Sequence, residues 1–275
     1  MLITKADGSR EEFNPKKLAY SLRKAGATKE EIAEIVAKIE SELTDGMSTE
    51  EIYRNAFEYL RNTDVPAVAR YSLRRALFGL GPTGFPFEEF LAKLFQSEGY
   101  KTSTGLALNG KCVAHEIDLA AYKDDDSFVA EAKFHARPGI KSDLQVVMYS
   151  YARLLDLKEQ KICAEDICGI KNFMVVTNTK FTTTARDYAG CVGIELLSWS
   201  YPQKNNLYDR IQASGLYPIT VLQGLSGKQK EELLKRKVIV CGDLLKNPQI
   251  LRHLHIGQKR TESVLAEAKN LALPE

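Results

Sequence analysis

The sequence predicts a multidomain α/β protein in three parts: a helical N-terminal part opened by a β-hairpin, a central mixed sheet flanked by helices, and a small all-α C-terminal part. Three observations carry this reading. Residues 1–80 show apolar stripes at helical spacing behind one short alternating segment, residues 84–200 mix period-2 runs with helical stretches, and residues 216–275 return to helical spacing interrupted by glycines. Between the first two parts Gly79, Gly81, Pro82, Gly84 and Pro86 crowd one short run that no helix continues through. A chain of 275 residues with 44% hydrophobic content is long enough to bury one large core or about two or three small ones.

The elements follow in chain order. Met1 to Glu12 alternates and turns at Asp7-Gly8, which reads as a hairpin. Asn14 suits an N-cap with Pro15 in the first helical position, and Leu18, Ser21, Leu22 and Ala25 form an inward stripe up to Gly26. Thr28 caps a second helix through Ile32, Ile35, Val36 and Ile39, and Ser48 with Glu51 forms a capping box for a third containing Ile52, Phe57 and Leu60. A fourth helix over residues 65–80 carries Arg70, Tyr71, Arg74 and Arg75.

In the central part, Phe85 to Tyr100 reads as a helix stopped at Gly99-Tyr100. The stretch Cys112 to His135 reads as two strands, with Val113, Ile117, Leu119 and Ala121 in one, Phe128, Val129, Ala130 and Ala132 in the other, and the polar link Lys123-Asp124-Asp125-Asp126 as the turn. Asp118 lies inside the first apolar run, and Glu131 and Lys133 lie two apart in the second, so period-2 alternation puts that carboxylate and that amine on one face. Charges in a half-buried strand need a partner. A hard divalent cation, Mg2+ or Mn2+, on Asp118 and Glu131 would be one, with room left for a phosphate oxygen and with Lys133 orienting the attacking water. Taken alone, Glu-x-Lys in a strand is usually a surface ion pair, and it is Asp118, the preceding acidic helix and the downstream Gln145 and Val-Thr-Asn segment that turn the reading toward a site.

The pattern D-x12-E-A-K resembles the active site of the PD-(D/E)XK nuclease superfamily, and its surroundings resemble the Mrr-type catalytic domain of restriction endonucleases. The resemblance covers residues 84–200 and implies a restriction-endonuclease-like mixed sheet with Glu89 as the helix carboxylate. It also implies an inward Gln145 on the helix after the hairpin, and a strand ending in Val176-Thr177-Asn178. It departs at Glu116, where many such domains have glycine, and Glu116 is thereby an extra candidate metal ligand beside Asp118 and Glu131. His115 and His135 read as packing or surface residues, because Mg2+ prefers oxygen.

The N-terminal hairpin and four helices resemble the ATP-cone, a nucleotide-sensing module, through I-T-K-A-D-G-S-R-E-E-F-N-P-K-K-L and V-A-R-Y-S-L-R-R. The resemblance implies ATP or dATP as a regulatory ligand, with Lys5 and Lys17 on the phosphates and Glu11 and Asn14 on the nucleoside side. Ala6 departs from it, standing where a second basic residue is usual. A helical packing module with solvated lysines is the alternative.

The last part is basic. Lys/Arg and Asp/Glu number 13 and 13 over residues 1–83, 15 and 17 over 84–215, and 10 and 6 over 216–275. Two copies of a helix-glycine-helix pattern there resemble tandem helix-hairpin-helix motifs, which implies that Gly224 and Gly257 let backbone amides face a DNA phosphate, with Lys228, Lys230, Lys259 and Arg260 adding charge. A protein-interaction bundle has the same pattern. The run Ser198 to Gly215 leads into this part, with Trp199 read as packed.

Five cysteines at irregular spacings read as free thiols with no structural zinc. No run of 18 apolar residues and no long apolar N-terminal stretch occurs, so a cytoplasmic protein with no membrane partner is expected. Together these readings describe a metal-dependent endonuclease acting on DNA as a homo-oligomer under nucleotide control. Two alternatives remain: a nucleotide-responsive DNA-binding regulator with an inactive core, and a nucleotide-controlled oligomeric scaffold.

Overall fold

The computed structural model describes residues 1–61, 65–123, 126–158, 163–164, 167–168, 170 and 172–272. Two compact units emerge: Met1–Ala76 together with Tyr217–Glu275, and Leu77–Leu216. The three sequence segments thus return as two bodies, the first and last folding as one.

Strands β1 (Leu2–Thr4) and β2 (Arg10–Glu12) pair antiparallel with Ile3 opposite Glu11. Helix α1 (Pro15–Lys24) starts at Asn14, whose side chain accepts from the Lys16 amide, and α2 (Lys29–Glu42) and α3 (Thr49–Leu60) open on capping boxes at Thr28 and Ser48. Helix α4 covers Val65–Phe78. Leu18, Leu22, Ile32, Ile35, Ile39 and Ile52 form the core. Ser21, expected inward, is exposed and gives its hydroxyl to the Lys17 carbonyl, because a hydroxyl loses less in water than in that core.

In the second unit α5 (Phe85–Ser97) ends where Gly99 takes φ +91°, a conformation open to glycine at little cost. Strands β3 (Lys101–Asn109), β4 (Ala114–Lys123) and β5 (Asp126–Lys133) form an antiparallel meander. Strand β3 adds a third strand to the expected hairpin, and β4 begins two residues later than expected, leaving Val113 exposed. Residues Asp124 and Asp125 of the expected turn lie outside the described residues. Next come β6 (Lys141–Ser142), α6 (Leu144–Leu157) capped by Asp143, β7 (Cys163–Ala164), β8 (Ile167–Cys168), β9 (Asn172–Thr177) and β10 (Lys180–Phe181). Helix α7 (Thr183–Val192), β11 (Glu195–Ser198) and α8 (Leu207–Ser214) complete it.

The main sheet has the order β11-β9-β5-β4-β3. Its central strand β5 is antiparallel to β4 and parallel to β9, so the sheet is mixed as expected. A strand flanked on both sides must be apolar except where function intervenes, and β5 is buried from Ser127 to Ala130 before Glu131 breaks the run. Ala120, Val129, Val147, Leu154, Phe173 and Val175 share one core with α6. Helix α5 packs on β3 and β4, and Phe95 meets Phe128 edge-on with centroids 5.0 Å apart.

After a 3-10 turn at Ile219–Val221, the C-terminal segment has α9 (Gly227–Lys235), α10 (Cys241–Lys246), a 3-10 stretch over Pro248–Leu254 and α11 (Gln258–Ala272). The expected repeat therefore survives as short turn, glycine loop and helix, twice. Thr220 gives its hydroxyl to the Ala76 carbonyl at 2.6 Å, tying this segment to the N-terminal helices within their shared unit. Trp199 meets Tyr208 at 5.1 Å, edge to face, and is half-buried as a packing residue. Cys112, Cys191 and Cys241 are free thiols, while the side chains of Cys163 and Cys168 lie outside the described residues.

Two substitutions probe the two cores separately. Phe95→Ala, at a side chain 1% exposed, is expected to cost the second unit about 3–5 kcal/mol in urea unfolding. Gly224→Ala sets a methyl 2.7 Å from Val264 Cγ2 and is expected to cost the first unit about 1–3 kcal/mol in the same measurement.

Candidate active site

The register of β4 and β5 builds the carboxylate pair. Leu119 faces Ala130 across the ladder, so the next step outward sets Asp118 opposite Glu131 on the face that α6 covers. The ladder does not continue there. Asp118 Oδ2 accepts the Ala132 amide at 2.7 Å, a side chain replacing a strand carbonyl. Glu131 Oε2 accepts from Arg153 Nη1 of α6, and Glu131 Oε1 lies 3.6 Å from Lys133 Nζ. On the other side of β5, Lys133 pairs with Thr177, whose hydroxyl donates to the Lys133 carbonyl at 2.8 Å. Asn178 brackets the backbone of His135 with two bonds of 2.9 Å, so the Val-Thr-Asn segment clamps the strand end that carries the lysine.

The electrostatics follow from this crowding. Burial and then the Glu131 charge push the Asp118 carboxyl up to about 6, against the opposing pull of the Ala132 amide, Arg153 and Lys133. Burial also raises Glu88 of α5 to about 7, reinforced by Asp118, Glu116, Glu131 and Glu89. Glu88, one residue before the expected Glu89, is thereby a second helix carboxylate that feels the cluster's charge. Glu89 instead accepts the Thr104 hydroxyl of β3 at 3.1 Å, because the helix turns its side chain toward that strand. Glu116 stands exposed on the strand two residues before Asp118.

Gln145 is exposed in the first turn of α6, and the residue of that helix that reaches the site is Arg153, two turns on. One signal for it was visible: an arginine inside the stripe of Val147, Ser150, Leu154 and Leu157 is a buried charge and needs an acid. Nothing in sequence distinguishes Glu88 from its neighbour Glu89.

The two other predicted sites differ from each other. In the hairpin unit, Glu11 lies between two cations, 3.5 Å from Lys5 Nζ and 3.1 Å from Lys17 Nζ, so the structure brings three of the four candidates together. Asn14 spends its side-chain oxygen on the Lys16 amide as helix cap. In the C-terminal segment the loop amides expected to face a phosphate are already taken: Gln223 N and Gly224 N donate to the Glu267 carboxylate at 2.6 and 3.0 Å. Gly224 is required by the close approach of Val264, while a methyl at Gly257 would meet nothing within 4 Å. Lys230 gives its amine to the Thr220 carbonyl at 2.8 Å, and Arg260 donates to the Gly224 carbonyl at 2.9 Å. Burial holds the Lys230 pKa below its ordinary value. Of the four cations expected on DNA, two thus serve internal contacts, and Lys228 and Lys259 are exposed.

Comparison with known proteins agrees with this division. Residues 1–77 match the ATP cone domain, residues 82–200 a restriction endonuclease catalytic domain, and residues 217–272 the AF1548-like C-terminal domain. An uncharacterized protein of Archaeoglobus fulgidus is 36% identical over 182 residues, which is 66% of this chain and 99% of the relative. The chain belongs to the AF1548-like family. The crystal structure of a protein of unknown function, AF1548, is similar at 34% identity and a TM-score of 0.56, covering 69% of this chain and 98% of that one.

In this AF1548-like chain the donor chemistry at Asp118, Glu131, Glu88 and Glu116 is all oxygen, and burial, followed by repulsion from neighbouring carboxylates, raises Asp118 and Glu88. A hard divalent cation fits such a set. Among the described residues no group of three or more His, Cys, Asp or Glu side chains is gathered into a metal cage. The fit is therefore the open kind, one or two carboxylates with water and substrate oxygens, which Mg2+ favours. Among the described residues no helix is long and apolar enough to cross a membrane.

Beside the site, Asp156 at the end of α6 organises the β3–β4 loop. It accepts the Cys112 amide at 2.7 Å and the Val113 amide at 3.3 Å, and it pairs with His115 at 2.8 Å. Burial works upward on its carboxyl, but His115, Cys112 and the loop amides outweigh burial and hold it at about 2. A depressed carboxylate stabilises the fold above its unfolded pKa, and that contribution is lost as pH falls through the folded value. The Tm of the second unit is accordingly expected to drop between about pH 4 and pH 2 in a calorimetric series, and Asp156→Asn is expected to remove that component of the drop.

Proposed function

We propose that the chain is a divalent-cation-dependent endodeoxyribonuclease whose activity responds to ATP or dATP on the N-terminal cone. The observation that carries this is the Asp118–Glu131 pair on one face of the sheet with Lys133 beside it, in a chain whose residues 82–200 match a restriction endonuclease domain. Asp118 and Glu131 would hold the cation, with Glu88 nearest as a further oxygen donor and Glu116 at the exposed edge. When bound, Mg2+ or Mn2+ supplies Lewis-acid polarisation of the phosphodiester and a lowered pKa for the attacking water.

The chain's own residues supply the rest. Lys133 is 44% exposed at its side chain and shares Glu131 with Arg153, which leaves its amine able to reach an attacking water or a phosphate oxygen. Glu88, pushed up to about 7 by burial first and by the neighbouring carboxylates after it, would gain from a cation that offsets their repulsion. Gln145, exposed in the first turn of α6, would support the site only by a contact made when substrate binds. Exposed Lys228 and Lys259 would add backbone contacts without reading sequence.

In the cone, Lys5 and Lys17 would exchange Glu11 for phosphate oxygens, a substitution of one anion for another that needs no new buried charge. Cutting both strands of a duplex favours a homo-oligomer, since each chain brings one carboxylate pair.

The deciding experiment is cleavage of supercoiled and single-stranded DNA with Mg2+ or Mn2+, with and without ATP and dATP. Asp118→Ala and Lys133→Ala are each expected to lower the rate by roughly a hundredfold or more, as expected for loss of a positioned charge in the transition state. Glu88→Gln is expected to cost roughly tenfold and Glu89→Gln under about threefold. DNA retention without cleavage under any of these conditions would favour the regulator instead. Lys5→Ala with Lys17→Ala is expected to weaken ATP binding roughly tenfold or more by calorimetry.

A further inference from the structure

Arg153 has no task in the nuclease reading, yet it is built into the site. Its residue is 4% exposed, Nη1 donates to Glu131 Oε2, and Nε is buried with no hydrogen-bond partner. The guanidinium lies 5.7 Å from the Phe173 ring centre and 5.4 Å from that of Tyr149. An arginine cannot shed its proton to escape burial, so this charge is permanent and needs Glu131 as its counter-ion.

The consequence is read atom by atom. Asp118 Oδ2 is engaged by the Ala132 amide at 2.7 Å, and Glu131 Oε2 is engaged by Arg153. Asp118 Oδ1 and Glu131 Oε1 remain. Glu131 Oε1 has only Lys133 nearby, 3.6 Å away on a side chain 44% exposed and able to swing clear. A pair of cations about 3.5–4 Å apart can share a carboxylate that gives one oxygen to each. At Glu131 Oε2 the buried, permanently charged guanidinium of Arg153 stands where a second cation sharing this carboxylate would sit, and like charges oppose each other there.

We propose that Arg153 is a positioning residue that holds Glu131 by one oxygen and restricts the site to one divalent cation. The inference rests on the metal-dependent nuclease reading and adds the number of cations and the residue that sets it. Arg153 also carries the structural neutralisation of Glu131, which frees Lys133 from that duty. Replacing Arg153 by an uncharged residue of similar length releases Oε2 and removes a fixed positive charge, so the site binds cations more tightly and admits a second. Replacing it by lysine keeps the charge and the count of one.

The test is Mn2+ binding to the full-length protein, followed by titration calorimetry and by electron paramagnetic resonance, with Asp118→Ala as the blank and circular dichroism as the check of folding. Wild type is expected to take one equivalent abolished by Asp118→Ala, with Arg153→Lys keeping one. Arg153→Met is expected to take two, with spin coupling between them, and to bind the first roughly tenfold or more tightly. Two coupled Mn2+ in wild type overturn this inference and leave the nuclease reading intact, as does an unchanged count and affinity in a folded Arg153→Met. No Mn2+ bound to wild type overturns the reading and the inference together. Should Arg153→Met fail to fold, the wild-type count decides alone, one in favour and two against.

Discussion

The second unit depends on one electrostatic constraint: two carboxylates, Asp118 and Glu131, are brought opposite each other by the register of adjacent strands, each inside an otherwise apolar run, Ile117 to Tyr122 and Phe128 to Ala132. Like charges directly across a ladder repel, and half-burial strengthens the repulsion by removing water. Three groups offset it. The Ala132 amide takes one oxygen of Asp118, Arg153 takes one of Glu131, and Lys133 stands near the other. The balance is incomplete, which is why Asp118 sits well above an ordinary aspartate. Such a residual negative field is unfavourable in a purely structural core and useful where a cation and a phosphate must meet.

The rest of the unit exists to hold that arrangement still. Helix α5 seats its phenylalanines against the meander and carries Glu88, while α6 brings Arg153 from within the buried stripe that anchors it. Thr177 and Asn178 fasten the chain on either side of Lys133 by backbone contacts, so the amine moves while its Cα does not. Asp156 does the same for the loop leading into β4. Most of these anchors are hydrogen bonds to backbone groups, which must be satisfied when buried, and Asp156 adds a side-chain bond to His115.

The first unit works differently. Its hairpin carries an exposed triad of Lys5, Glu11 and Lys17, an ion arrangement that is weak in water and easily exchanged for a phosphate. Its C-terminal segment uses glycine for close packing and fills its loop amides with Glu267. The Gln223 and Gly224 amides are therefore internal structure, while Lys228 and Lys259 are exposed.

By itself the sequence marked the N-terminal helices, the β4–β5 hairpin and Asp118, Glu131 and Lys133 as candidates, while strand β3 became visible only in the fold. Helix caps at Asn14, Thr28 and Ser48, the glycine stop at Gly99 and the period-2 run around Glu131 are local physics, decided by a few adjacent residues. Asp118, Glu131 and Lys133 were legible because a charge inside an apolar strand is costly wherever it occurs. Choices between neighbours needed the tertiary structure. Glu88 and Glu89 have the same chemistry one residue apart, and only the angle at which α5 crosses the sheet separates the one that feels the cluster from the one that meets Thr104. Arg153 joined the site, and Gln145 stayed at its rim, because the register of α6 against β5 sets which turn lies over Glu131. The use of Gly224 likewise followed from Glu267 and Val264, some forty residues away. Contacts between distant segments depend on packing angles and registers, which no local pattern encodes.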